Sequence, residues 1–238
     1  MSYIGSTKIG KMFLGDIEIA KAYLGDTLVF QKKAQEPSYI DDGLAIWLDG
    51  KDKGANPDAW IEKVGGYIFT NSGATFNEDH VYFDGSSFLS ATGVPAIASA
   101  SGTIELVYEA SALGTAQLVY MPSGTTAAMG VGFSTNNRVI FGCVKTNRAV
   151  YTTTTTKASI SLNADRGLSN GVAMTKYSSN TYWSGANTTT TYVGKRSAGA
   201  FFSGKIYCIR IYNRKLSQAE MLANLAVDNT RFNLGLTL

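Results

Sequence analysis

The sequence predicts an all-β fold, a sandwich or a barrel built from many short strands. Three observations carry this expectation. Apolar runs are short and are interrupted at regular intervals by Gly, Asn, Ser and Asp, the punctuation of antiparallel strands and tight turns. The chain is rich in Gly, Thr, Tyr and Phe, and 45% hydrophobic against 16% charged residues is enough for a core and too little charge for disorder. One segment alone shows convincing helical periodicity. At 238 residues the length suits one domain with a short appendage.

The first thirty residues carry an internal ten-residue repeat. Tyr3-Ile4-Gly5-Ser6-Thr7-Lys8-Ile9-Gly10-Lys11-Met12 aligns with Phe13-Leu14-Gly15-Asp16-Ile17-Glu18-Ile19-Ala20-Lys21-Ala22, and Tyr23-Leu24-Gly25-Asp26-Thr27-Leu28-Val29-Phe30 begins a third copy. Aromatic and β-branched flanks favour strands, and the Gly-Ser or Gly-Asp step supplies the φ > 0 chemistry of a reversal. Three short strands in a meander or β-coil bury little alone. Segment 1–30 is therefore expected either to pack on the main domain or, the preferred reading, to anchor or oligomerise the chain. Residues 31–38 are polar, aperiodic and contain Pro37, which reads as a linker.

From Tyr39 onward the pattern predicts strands near 44–49, 67–70, 80–84, 87–90, 102–109, 116–121, 129–134, 138–142, 148–153, 158–163, 171–176, 181–184, 190–194 and 202–213. The Thr runs at 152–156 and 188–191 adjoin Tyr and read as solvent-facing strand edges. Asn136-Asn137-Arg138 reads as a hairpin turn. The one helix opens on a capping box, Ser217-Gln218-Ala219-Glu220, and continues with Met221, Leu222, Leu225 and Ala226 as an apolar stripe, ending near Asp228-Asn229.

Several function classes fall at once. Twenty-one basic against eighteen acidic residues give +3, too weak to argue for nucleic acid or an anionic membrane, and no Lys/Arg block exceeds Lys32-Lys33. Apolar runs fall far short of the ~20 residues that cross a bilayer. The start lacks a basic region followed by an apolar one, so Sec export is not expected. Cys143 and Cys208 form no CxxC or Cys/His cluster, which excludes structural zinc and a disulfide framework and fits a reducing compartment. The single histidine, His80, has no partner motif and reads as a surface or packing residue.

The carboxy-terminal half carries a resemblance. Phe201-Phe202-Ser203-Gly204-Lys205-Ile206-Tyr207-Cys208-Ile209-Arg210-Ile211-Tyr212-Asn213-Arg214-Lys215-Leu216-Ser217 resembles the closing signature of laminin-G-like, concanavalin A-like lectin/glucanase domains. Asp42-Gly43-Leu44-Ala45-Ile46-Trp47-Leu48-Asp49-Gly50 is similar to the family's opening strand. Val81-Tyr82-Phe83-Asp84-Gly85-Ser86-Ser87-Phe88-Leu89 is similar to its F-D-G hairpin, and Gly102-Thr103-Ile104-Glu105-Leu106-Val107-Tyr108 to the next strand. The resemblance spans about 39–234 and implies a two-sheet jelly-roll sandwich over 39–238. The decapeptide repeats more loosely resemble leaders of such domains in structural proteins of tailed phages.

Residues 206–212 are apolar on both alternating faces apart from Arg210, as in a central strand covered on both sides. A buried guanidinium needs a partner, and Asp49, Asp84 or a carbonyl at the sheet rim are the candidates. Asp84 and Gly85 read as a turn.

Relatives of this fold include glycoside hydrolases, which need two carboxylates about 5–9.5 Å apart. The glucanase E-x-D-x-x-E strand is absent. Glu105 and Glu109 would start roughly 13 Å apart on one strand, so Glu105 reads as an exposed or paired strand residue. Trans-sialidase-like chemistry needs an arginine cluster with Asp and Tyr, and none is assembled from the sequence. Laminin-G-like modules often hold calcium, so the resemblance keeps that ion open. The acid-rich spots Asp41-Asp42, Asp49-Gly50-Lys51-Asp52 and Glu78-Asp79 lack D-x-D-x-D-G spacing and read first as turns, so no cofactor is expected.

Glycan binding asks less: an aromatic platform and a few hydrogen-bonding groups. Trp47 reads as core and Trp60 as core lid or loop. Tyr182, Trp183, Asn187 and Arg196 are the expected sugar-facing patch. The combined expectation is a non-enzymatic phage virion protein, a head or tail fibre component assembled in the host cytoplasm. Its jelly roll would meet a bacterial surface glycan, and its amino-terminal segment would meet other virion proteins and a homo-oligomer, a trimer by resemblance. The alternatives are a glycoside hydrolase or its accessory carbohydrate-binding module, and a decoration protein with no sugar ligand.

Overall fold

The computed structural model describes residues 38–54, 56, 58–95, 97–135, 137–142, 148–179, 190–196 and 199–238, apart from 124–126, and the paired strand residues among the first 31. The chain divides into two units, Met1–Ser38 and Tyr39–Leu238.

In the first unit each decapeptide copy forms its own hairpin. Strand β1 (Tyr3–Ile4) pairs with β2 (Thr7–Lys8), β3 (Phe13–Leu14) with β4 (Ile17–Glu18), and β5 (Lys21–Leu24) with β6 (Thr27–Gln31). Each copy thus contributes two strands, not the one expected, because the chain reverses inside every repeat. Ile4 faces Thr7, Leu14 faces Ile17 and Leu24 faces Thr27.

The second unit contains β7 (Leu44–Asp49), β8 (Ala59–Ile61), β9 (Ile68–Ser72), β10 (Thr75–Phe76), β11 (Val81–Asp84), β12 (Phe88–Thr92), β13 (Thr103–Ala110), β14 (Ala116–Ser123) and β15 (Ala127–Ser134). There follow β16 (Arg138–Gly142), β17 (Arg148–Thr152), β18 (Lys157–Asn163), β19 (Gly167–Ser169), β20 (Val172–Ala173), β21 (Lys176–Ser179), β22 (Thr190–Val193), β23 (Ser203–Tyr212) and the helix α1 (Gln218–Phe232). They build two antiparallel sheets. One runs β10-β11-β23-β13-β18-β19-β20, with β7 also paired to β23; the other runs β21-β17-β16-β15-β14-β22-β12-β9-β8. This is the two-sheet sandwich with one carboxy-terminal helix that the sequence predicts. The expected strand at 181–184 lies outside the described residues. Strands β8, β10 and β19 were not expected, because two or three residues are too few to show a period of two.

The core lies between the sheets. Ile104, Leu106, Ile206, Ile209 and Ile211 from one face Leu89, Leu118, Val131, Phe141 and Val193 from the other, all nearly solvent-free. Trp60 is fully buried and its indole N–H donates to the Asp49 carbonyl at 3.1 Å. Trp47, expected in the core, is half-buried on the opposite face of its sheet, edge-on to Tyr39 and beneath Lys63.

Helix α1 covers the outward face of the eight-stranded sheet. Its capping box forms as expected: Ser217 accepts from the Glu220 amide, and Glu220 accepts from the Ser217 amide. The helix runs about one turn past the expected end, to Phe232, and stops at Asn233 with φ 49°. The apolar stripe differs as well. Leu222 is exposed, whereas Asn224 and Asp228 are buried, because that face of the helix meets charge on the sheet. The nine-stranded sheet carries no helix on its outward face among the described residues.

Candidate functional site

The sandwich has two outward faces, and its charges are divided between them. Under α1 lies a closed ionic cluster. Arg210 Nε donates to Glu105 Oε2 at 3.0 Å, and its two terminal nitrogens donate to the two oxygens of Asp228 at 2.7 and 2.8 Å. Antiparallel register puts Glu105 of β13 directly opposite Arg210 of β23, and Ser161 of β18 opposite Glu105. Ser161 donates to Glu105 at 2.7 Å, as does Asn224 at 2.8 Å. Tyr39 and Ser159 each donate to Asp228 at 2.9 Å. The partners expected for Arg210 are thereby corrected. Asp49 instead receives Arg231 at 2.5 Å, and Asp84 is an exposed turn residue accepting from the Ser86 and Ser87 amides.

Burial pushes the Glu105 carboxyl above its usual range, and the charge of Arg210 opposes that shift without reversing it. Burial also works against the Arg210 charge, but the carboxylates, Asp228 foremost, outweigh it and hold the guanidinium firmly protonated. These carboxylates are fully buried and bound to donors, so they brace the fold and have no room to meet a substrate. Glu105 is thus paired and buried, not exposed. Glu109 accepts from Lys205 and Tyr207 at 3.2 and 3.1 Å.

Four acids of the acid-rich spots, Asp42, Asp49, Asp52 and Asp79, meet basic side chains. Asp42 pairs with Arg214 at 2.8 Å, and Asp52 pairs with Lys63. The Lys53 ammonium sits on the carbonyls of Gly50 and Glu78. Asp79 meets His80 at 2.6 Å, and the His80 ring packs on Tyr207. Among the described residues no group of three or more His, Cys, Asp or Glu is placed to hold a metal ion.

The other outward face is aromatic. Leu89 and Val193 point into the core, so strand alternation turns Phe88, Ser90 and Tyr192 outward. One row crosses five strands: Thr70, Ser90, Tyr192, Tyr120 and Gly130. Tyr120 stacks on Tyr192 with centroids 6.5 Å apart, and Phe88 lies 6.3 Å from Tyr192 and 6.4 Å from Phe201. All four rings are half-buried, so each is held in place and still presents surface. Lys195 lays its ammonium 3.3 Å from the Phe88 centroid and 4.9 Å from that of Tyr192.

Gly194 makes this placement. Its φ is +86°, and a Cβ there would stand 2.5 Å from the Phe83 ring. The bend it allows carries the chain from the inward Val193 to the outward Lys195. Arg196 then pairs with Gly199 and lines a shallow recess of about 190 Å³ with Thr115, Gln117, Gly132, Ser134 and Ile140. That volume lies below the ~300–1,000 Å³ of drug-sized pockets and suits one small group. Further along the same face the Arg138 guanidinium stacks 3.6 Å from the Tyr177 centroid.

Of the four expected sugar-facing residues, Tyr182, Trp183 and Asn187 lie outside the described residues. Arg196 sits at the recess. The sequence reading passed over Phe88, Tyr120, Tyr192, Phe201 and Lys195. The available signal was parity: Phe88 next to the core residue Leu89, and Tyr192 next to Val193, must face outward.

No protein-family model and no curated protein matches the sequence. Solved structures do match in fold. The Trypanosoma rangeli sialidase in complex with sialic acid aligns with TM-score 0.59 and 18% identity over 79% of this chain and 33% of the sialidase chain. The same sialidase with 2,3-difluorosialic acid gives 0.57 and 16% over 90% and 37%. Domain 4 of AbnA, a GH43 extracellular arabinanase from Geobacillus stearothermophilus, in complex with arabinotriose, aligns with TM-score 0.57 and 13% identity over 77% of this chain and 98% of that domain. The chain thus spans about a third of the length of the sialidases it matches. These likenesses show the β-sandwich fold. They also correct the expectation that the chain stands apart from enzymes, since the structures sharing its fold belong to sialidases and an arabinanase.

Proposed function

We propose that the sandwich is a glycan-binding module of a carbohydrate-active protein, with the outward face of the nine-stranded sheet as its contact surface. One observation carries the reading: Phe88, Tyr120, Tyr192 and Phe201, half-buried and with Lys195 over Phe88, Tyr192 and Phe201, form a platform on an outward sheet face. Sugar rings present C–H faces that stack on aromatic rings, while hydroxyls seek the surrounding amide, hydroxyl and cationic donors. Support comes from the arabinanase domain, matched over nearly its whole length and solved in complex with arabinotriose. The role is that of an accessory binding module acting beside glycan-cleaving chemistry.

By the looser resemblance of its decapeptide repeat to leaders of tailed-phage structural proteins, the module would be one of several copies, a trimer joined through the amino-terminal segment in a larger particle such as a virion. Weak single contacts would then add through multivalency with no new contact.

Titration of the full chain with a panel of neutral and acidic oligosaccharides tests the reading. Tyr192→Ala is expected to weaken binding about tenfold, equal to about 1.4 kcal/mol, with circular dichroism unchanged. Binding indifferent to that change would place the contact elsewhere. Reducing ends released from the same panel would move the reading from module to hydrolase.

A further inference from the structure

The charge on the aromatic face is one-sided. Between Glu109 and Glu220 the sequence has a single acid, Asp165, against twelve Lys and Arg, of which Arg138, Arg148 and Lys176 lie on strands of the aromatic sheet and Lys195 and Arg196 just after β22. Asp165 is engaged by Lys215 at 3.0 Å. None of the nine strands of the aromatic sheet contains Asp or Glu, while Asp49, Asp84, Glu105 and Glu109 all lie on strands of the other sheet. Among the described residues no carboxylate pairs with Lys195, Arg196 or Arg138; Lys195 and Arg138 rest on rings instead. A cation over a ring keeps its charge and can engage an anion at lower desolvation cost than a fully hydrated one.

Two of these cations are backed by rings at stations on one face, Lys195 over Phe88 and Tyr192 and Arg138 on Tyr177, and Arg196 stands at the recess with Gln117, Gly132 and Ile140. Tyr192 and Arg138 stand three strands and four residues apart in register, which separates the two stations by roughly 20 Å at ~4.8 Å per strand and ~3.3 Å per residue. Two such stations suit a chain that repeats a ring and a negative charge along its length. A nucleic acid would need a denser phosphate-tracking row of Lys and Arg than a chain of net charge +3 offers.

We infer that this face binds a linear polyuronate, its sugar rings on the aromatic platforms and its carboxylates on Lys195, Arg196 and Arg138. The inference rests on the glycan-binding reading and names the ligand class. The guanidinium forks of Arg196 and Arg138 match a planar carboxylate through two parallel hydrogen bonds.

Calorimetry of the full chain with hexagalacturonate and with its fully methyl-esterified form isolates the charge on one skeleton. The acid form is expected to bind at least tenfold more tightly, to weaken between 50 and 300 mM salt, and to lose most of its advantage in Arg196→Gln and in Arg138→Gln. Digalacturonate, too short for both stations, is expected to bind about as weakly as the ester. Equal affinity for acid and ester, or binding of neither while a neutral oligosaccharide binds in a Tyr192-dependent way, overturns the polyuronate assignment and leaves the glycan reading standing. If no oligosaccharide of the panel binds, both fall.

Discussion

Arg210 and Asp228 meet in a two-pronged ion pair, with nitrogen–oxygen distances of 2.7 and 2.8 Å, that fastens the last strand to the helix following it. Glu105 completes the cluster from the neighbouring strand. Glu105 and Asp228 are neutralised beneath the helix, and the strands of the opposite sheet carry aromatic residues and no acid.

Removing one member of this cluster strands a buried charge. Asp228→Ala is expected to lower unfolding free energy by about 3–5 kcal/mol, read from urea midpoints at unchanged slope. Asp52→Ala, which breaks the exposed pair with Lys63, should cost under about 1 kcal/mol. Equal effects would mean that the cluster is not the brace described.

The helix cap gives stability a defined pH dependence. A hydrogen bond from Arg214, then those involving Ser217, hold the Glu220 carboxyl down to about 2, below its ordinary 4.5. A carboxyl depressed on folding stabilises above its unfolded pKa, and the contribution disappears as pH falls through the folded value. The gap in melting temperature between wild type and Glu220→Gln is therefore expected to be constant above pH ~5 and to close near pH 2. A gap that widens toward acid would contradict the sign.

Burial beneath the helix pushes the Cys208 thiol well above its usual range, beyond what the Arg210 charge can offset. Only the thiolate alkylates readily. Native protein treated with iodoacetamide and mapped by peptide mass should label Cys208 at the rate of global unfolding, and Asp228→Ala should accelerate it.

Gly194 ties the fold to the binding face. Gly194→Ala places a methyl group against Phe83 in a backbone conformation unfavourable to L residues, a cost of about 2–4 kcal/mol from overpacking and strain together. Its displacement of Lys195 should also weaken oligosaccharide binding. Thermal unfolding and titration of the same variant read the two effects separately.

Much of the sandwich was legible in the sequence, because short apolar runs bounded by turn residues, such as 102–109 and 202–213, and the capping box at Ser217 are local signals. Partners across the sheet were not. Glu105 and Arg210 are over a hundred positions apart, and nothing local says that their strands are neighbours. The polar positions Asn224 and Asp228 on the helix's buried face were the hint, passed over when the stripe was read from apolar residues alone. The platform was hidden for the same reason: Phe88, Tyr120, Tyr192 and Phe201 become one surface only when β12, β22 and β14 pair. The want of acids between Glu109 and Glu220, by contrast, stands in the sequence itself, and its meaning emerges from the sheet order.

Oligosaccharide binding by matched variants on the two faces tests the central claim most directly. Phe88→Ala and Tyr192→Ala on the nine-stranded sheet are expected to lower affinity about tenfold each, while Tyr82→Ala, an exposed tyrosine on the other sheet, leaves it unchanged at equal folded content. Loss confined to Tyr82→Ala, or no loss with any of the three, would contradict the account.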